Sequence, residues 1–244
     1  MSASQDVNFA WRRIYRIGAA AALGAVLVGL IETGINFLPG SDVPRATVLD
    51  WYALLQQNPF IGLRNLGLLN ILLNALGILT YFAVYAAHRQ SRYQPYAALA
   101  MIISILGVGV FLATNRAFSM LALSHQYAAA GNEAQRAALE AAGWSMLSVG
   151  ASHTPGTFLA FLLSEIAGIV ISIVMLRSRI FSRATAYAGI LGFSILLVIE
   201  YFSSFTGLSD VMVMLFMLGG VFSMAWYILI AVRLFALGRN DVQA

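Results

Sequence analysis

The chain has no cysteine and no lysine. The first absence excludes disulfides, thiolate metal sites, iron–sulfur ligation and cysteine nucleophiles together. The second leaves fourteen basic residues, all arginine, a bias that fits a GC-rich bacterial genome. Charge of either sign is scarce: 10% of the residues are charged and 60% are hydrophobic, where a soluble domain carries about 25% charged residues. A surface this poor in charge calls for lipid around it. The net charge of +4 is dispersed along the chain, which speaks for membrane topology and against a nucleic-acid partner.

Long apolar runs are what the chain has instead. A hydrocarbon core of about 30 Å takes roughly 20 helical residues to cross, and six segments qualify: about 16–38, 65–87, 95–115, 156–176, 184–206 and 211–235. Each is expected to be helical, because lipid offers the backbone no hydrogen-bond partner. The first run follows Arg12, Arg13 and Arg16 as a signal peptide would. It is too long for a signal h-region and leads into Asn36-Phe37-Leu38-Pro39 without a small-x-small cleavage site, so we read it as a retained span. The expected fold is all-α: a single six-span domain over residues 1–244.

Arginine placement orients the bundle. With the N-terminus inside, ten arginines fall on inner segments (12, 13, 16, 89, 92, 177, 179, 183, 233 and 239) and four on outer ones (45, 64, 116 and 136). By the positive-inside rule both termini are expected in the cytoplasm of a bacterial cell, with the protein multi-pass in its plasma membrane. Two outer loops are long. In 39–64, Thr47 caps a short helix, Asp50 sits in its first turn and Asn58-Pro59 stops it. In 116–155, Asn132 with Gln135 opens another in capping-box fashion. Together they predict a helical outer cap.

Three carboxylates fall inside spans: Glu32, Glu165 and Glu200. Intramembrane acids are costly and face the bundle interior, where they find a partner. Each lies on a stripe of small residues that lets helices approach closely: Gly18, Ala22, Ala25, Gly29, Glu32 and Asn36; Glu165, Gly168 and Ser172; Gly189, Gly192, Glu200 and Ser203. The second span adds Gly67, Asn70, Asn74 and Gly77. By the ~1.5 Å rise per residue, Glu32 and Glu200 belong in the outer third and Glu165 near the midplane. These positions predict a polar cluster in the outer half, formed by Glu32, Asn70, Asn74, Glu165 and Glu200 with Arg116 or Arg64 as counter-ion. The inner half reads as nearly all apolar. Two interpretations stand side by side: a site that handles a ligand or a proton, or polar contacts that only hold helices in register.

Other residue types give less. None of His88, His125 and His153 is mid-span, which argues against haem. A metal held by His125 or His153 with Glu32 or Glu165 has no supporting spacing motif, so no metal and no cofactor is expected. The span-six residues Met212, Met214, Met217 and Met224 read as packing residues, and Trp11, Trp51, Tyr52 and Tyr227 as interface anchors. No nucleophile elbow, Walker loop or dinucleotide fingerprint occurs.

The order of features resembles a family of six-span bacterial membrane proteins catalogued only as a domain of unknown function. The resemblance rests on the arginine-led first span ending in Glu32, on Asp50-Trp51-Tyr52-Ala53-Leu54-Leu55 before Asn58-Pro59, and on Leu-Arg-Ser-Arg-Ile-Phe-Ser-Arg over residues 176–183. It implies the architecture and lends no catalytic residues. Three function classes remain from the residues. The first is a protein that binds or moves a small or lipid-like ligand. The second is an accessory or sensory subunit beside a membrane-protein partner or further copies of itself. The third, ranked last, is a lipid-modifying enzyme with the acids as general acid and base.

Overall fold

The computed structural model describes residues 3–35, 46–150, 154–207 and 209–239. Asn36, Arg45 and His153 of the readings above lie outside them. Among the described residues ten helices follow one another: α1 Ala3–Ile35, α2 Val48–Gln57, α3 Pro59–Asn65, α4 Leu68–His88, α5 Gln94–Thr114, α6 Ala117–Ala128, α7 Glu133–Gly150, α8 Pro155–Ser178, α9 Arg183–Thr206 and α10 Asp210–Arg239. Six of them, α1, α4, α5, α8, α9 and α10, are long and apolar enough to cross a membrane; the apolar stretch of α5 continues through α6. The chain is a polytopic membrane protein.

The six long helices close a ring. α1 packs on α4, α4 on α5, α5 on α8, α8 on α9, α9 on α10, and α10 returns to α1; α4 and α10 also touch behind α1. Small residues set the spacing, as the stripes predicted. A Cβ on Gly18 would run into the side chain of Ala83, and one on Gly168 into the ring of Phe193. A Cβ on Gly107 would stand 3.2 Å from the backbone oxygen of Ala160, so the glycine lets α5 seat closely on α8.

The two ends of the ring differ. At one end, arginines tie helix termini together. Arg16 donates from Nε and Nη2 to the Gly238 carbonyl, at 3.2 and 3.0 Å, so a cation caps the negative end of α10. Arg233 donates to the Ile180 carbonyl at 2.7 Å, and the Arg89 guanidinium stands 4.4 Å from the centre of the Trp11 ring. His88 is fully buried here. Its Nδ1 is 2.8 Å from the Val84 carbonyl, which can only accept, so the proton resides on Nδ1; Nε2 then faces the Ser178 hydroxyl at 2.9 Å. We refer to this as the arginine end.

At the opposite end the short helices form their own small core from Val48, Tyr52, Leu55, Leu66, Ala117 and Met120. Thr47 caps α2 as expected, and with Asp50 it forms a full capping box; the two contacts from Thr47 hold the Asp50 carboxyl below its ordinary range. Asn58 ends α2 as predicted. With Pro59 in the first position it also begins α3, which the sequence reading had left as loop. α6 is a second helix that reading lacked. Tyr52 is no interface anchor: it is buried, and its hydroxyl donates to the Leu139 carbonyl at 2.7 Å. Burial, aided by the negative charge of Glu140, pushes its pKa up to about 12.

The main core lies nearer the arginine end and includes Ala22, Val84, Ile171, Met175, Trp226, Ile230 and Leu234. It is less apolar than expected, since Thr80, His88, Ser172 and Thr185 are buried within that half. Toward the short helices the ring loosens. None of residues 68–76 of α4, 161–166 of α8 or 210–218 of α10 is buried. Consecutive helical residues cover every face, so side chains turned to the ring axis keep part of their exposure here. Met214 and Met217 do not pack inside as predicted; they are among the most exposed side chains of α10.

Candidate functional site

The carboxylates separate into two groups. Glu32, in the last turn of α1, pairs with Arg64 of α3: Nη2 lies 2.9 Å from Oε1 and donates to the Glu32 backbone carbonyl at 2.6 Å. Arg64 Nη1 donates to Asn65 Oδ1 at 2.8 Å. Glu200 is buried on α9 and accepts from Ser204 Oγ at 2.9 Å, one turn on along the same helix. Glu165 stands on the neighbouring α8, within electrostatic reach of Glu200.

Glu165 is the exceptional one. Its Oε2, like Glu32 Oε2, is shut off from solvent and accepts no hydrogen bond, and it makes no ion pair such as Glu32 makes with Arg64. Electrostatically it acts on Tyr81 of α4 and Tyr227 of α10. Neither α4 nor α10 neighbours α8 in the ring, so this influence reaches across the axis. The Tyr227 hydroxyl lies 4.0 Å from where a Cβ on Gly77 of α4 would stand, which places it beside the helix that carries Tyr81. Trp226 completes an aromatic group: its ring centre is 6.0 Å from that of Tyr81 and 4.9 Å from those of Tyr227 and Phe193.

Local sequence explains the convergence. Glu165, Gly168 and Ser172 share one face of α8. Gly168 admits the Phe193 ring, and at the next level Gly189 of α9 leaves room for Ser172 and for the Trp226 indole. Both Ser172 Oγ and Trp226 Nε1 are buried without a hydrogen-bond partner, an unusual density of unsatisfied polar atoms in so small a volume.

The remaining predicted residues take other roles. Asn74 donates to the Asn70 carbonyl at 2.8 Å, an i to i+4 bond within α4. Both asparagines are half-buried, in the loose half of the ring. Arg116 sits at the N-cap of α6, half-buried, and its Nε finds no acceptor; of the two arginines considered as counter-ion, the ion pair seen here is that of Arg64. Among the described residues, no three His, Cys, Asp or Glu side chains meet as a group able to hold a metal. The single outer cluster of carboxylates is therefore not what the structure displays.

Sequence reasoning missed Tyr81 and Tyr227. The signal for the first was present: the α4 stripe of Asn70, Asn74 and Gly77, continued by one step of four, reaches Tyr81. Tyr227 had been read as an interface anchor, and its partner Gly77 is remote in sequence.

Comparison with protein-family models, curated proteins and solved structures gives no match. The chemistry must be read from the site. A carboxyl group that accepts no hydrogen bond in an apolar bundle has its charge removed by a proton or balanced by a cation, and the phenols within its electrostatic reach can exchange a hydrogen bond with whatever enters.

Proposed function

We propose that the protein binds or moves a small or lipid-like ligand, with a site in the loosely packed half of the ring centred on Glu165. Glu200 lies beside it. Asn70, Asn74, Glu32 and Arg116 stand in the same half and contribute polar groups toward its mouth. The observation that carries this reading is the Glu165 carboxyl, directed at the axis with an oxygen that accepts no hydrogen bond. Glu32 has one such oxygen too, but its other oxygen pairs with Arg64, whereas Glu165 has no ion-pair or hydrogen-bond partner among the described residues.

The orientation belongs to the same proposal. The arginine end faces the cytoplasm, with both termini there, and the short helices cap the outer face. Support comes from the ten-to-four distribution of arginines. The protein is then multi-pass in a bacterial plasma membrane, and its resemblance to six-span bacterial membrane proteins is part of this reading.

Native mass spectrometry of the gently solubilised protein, with lipid extraction from the same sample, tests the proposal. A defined extra mass that disappears in Glu165→Gln supports it; a bare protomer of 26.3 kDa in both forms overturns it. One observation favours a second reading, that of an accessory subunit or homo-oligomer. Residues 213–218 of α10 are exposed on every face, a surface on which another membrane helix could rest. A stoichiometric partner retained on solubilisation would establish that reading instead.

A further inference from the structure

Within the ligand-binding reading, on which this inference rests, we propose that the ligand presents an organic monocation, a protonated amine or quaternary ammonium group, to the Glu165 carboxylate between the rings of Tyr81 and Tyr227.

The charges around the site select the sign. Ten arginines sit at the arginine end, Arg64 is held by Glu32 at the other, and no arginine or histidine lies in α8 or α9 between their terminal turns. The other carboxylate within reach is Glu200, which repels the charge of Glu165 and adds to the attraction for any cation that enters. An anionic head would meet Glu165 and Glu200 directly, while Arg116 stands at the N-cap of α6 toward the mouth, where it would receive the negative group of a zwitterionic head.

The lining selects an organic cation over a metal ion. Calcium takes six to eight oxygen ligands and magnesium a near-octahedral set, whereas this site offers two carboxyl groups and two phenols, and no metal-holding group of three acidic or histidine side chains exists among the described residues. It offers aromatic faces instead. Tyr81, Trp226 and Tyr227 form a continuous contact series, and such faces attract alkylammonium groups by the electrostatics of the ring. Trp226 is fully buried in the main core and backs this series, and its indole N–H makes no hydrogen bond.

There is also a route. Glu165 and Tyr227 keep partial exposure, and the adjoining stretches of α4, α8 and α10 contain no buried residue. An apolar substituent on the cation would extend along this loosely packed half of the ring, whose α10 stretch is apolar throughout residues 211–218.

Equilibrium binding to the purified full-length protein tests the assignment with choline and its neutral shape-match 3,3-dimethylbutan-1-ol. Dodecyltrimethylammonium is a third probe, standing for a cationic head carried on a lipid chain. The expected result is that a cation binds at least about tenfold more tightly than the neutral alcohol, and that Glu165→Gln removes at least about tenfold of this affinity. Binding of choline assigns a free cation; binding of dodecyltrimethylammonium alone assigns a lipid head. The assignment is overturned if the alcohol binds as tightly as choline and the amphiphile shows no dependence on Glu165, or if neither cation binds the folded wild type. Should Glu165→Gln fail to fold, the wild-type preference of choline over the alcohol decides. Failure of the cations while a Glu165-dependent mass still copurifies would remove the cation and leave the ligand site standing; failure of both would remove the site as well.

Discussion

Arg64 clasps the end of α1 twice, with one guanidinium nitrogen 2.9 Å from the Glu32 carboxylate and 2.6 Å from the Glu32 backbone carbonyl. The carbonyl belongs to the last turn of the helix, where no intrahelical donor is available. Arg64 therefore acts as a C-terminal cap and an ion-pair partner together, and it links α1 to α3 across 32 residues of sequence. Its side chain is 6% exposed while that of Glu32 is 33% exposed, so water screens one half of the pair.

Removing the two partners should consequently have unequal effects. Arg64→Ala leaves a carboxylate, a helix-end carbonyl and Asn65 Oδ1 without their donor, and should cost about 2–3 kcal/mol, below the usual range for a fully buried pair because Glu32 is part-exposed. Glu32→Gln retains an acceptor and the carbonyl contact and should cost about 1 kcal/mol. Arg64→Lys should not restore the wild type, because a single ammonium cannot reproduce the forked contacts. Reversible unfolding in mixed micelles measures all three. Equal losses for Arg64→Ala and Glu32→Gln would show that the carbonyl contact contributes nothing.

Glycines give a second test, because some of them fix the close approach of helices and others do not. At Gly189 a Cβ would meet Ser172 Oγ and the Trp226 ring, whose indole is fully buried. Gly189→Ala should destabilise by about 1–3 kcal/mol through overpacking. It should also shift the Trp226 fluorescence as the ring is displaced. At Gly109 nothing stands within 4 Å, and Gly109→Ala should be neutral or stabilising by up to about 1 kcal/mol, the helix-propensity difference. Unfolding midpoints of the two variants compare them directly. A neutral Gly189→Ala would mean that α8, α9 and α10 are not as closely seated as these contacts require.

The spans were legible because the bilayer imposes length and hydrophobicity on a helix before any tertiary contact is considered. The predicted 184–206 and 156–176 differ from α9 and α8 by no more than two residues at either end. α1 is longer than its span at the start, because the polar residues ahead of Arg12 also continue the helix. α6 was missed since it follows α5 after only Asn115 and Arg116, a break that hydropathy alone does not reveal. At the site, the stripes disclosed which faces of α8 and α9 turn inward, and so placed Glu165 and Glu200 together. What they could not disclose is which distant stripe stands opposite. Ring order decides that: it puts Tyr81 and Tyr227 across from Glu165 and leaves Glu32 with Arg64. That order depends on helix packing between segments far apart in the chain, for which one sequence carries no local signal.

The cysteine-free chain makes the proposed orientation open to a clean test, since any thiol introduced is the only one present. Gln90 lies exposed after α4 at the arginine end, and Ala134 is exposed in the first turn of α7 among the short helices. In intact bacterial cells a membrane-impermeant maleimide should label Ala134→Cys and leave Gln90→Cys unlabelled until the membrane is broken. Both substitutions replace exposed side chains, so the expected change in stability is within about 0.5 kcal/mol. The reverse labelling pattern would turn the arginine end outward, against the positive-inside rule, and would place the loose half of the ring with Glu165 toward the cytoplasm. Labelling of Gln90→Cys and Ala134→Cys alike in intact cells would show that the chain inserts in both directions, which ten arginines against four should prevent.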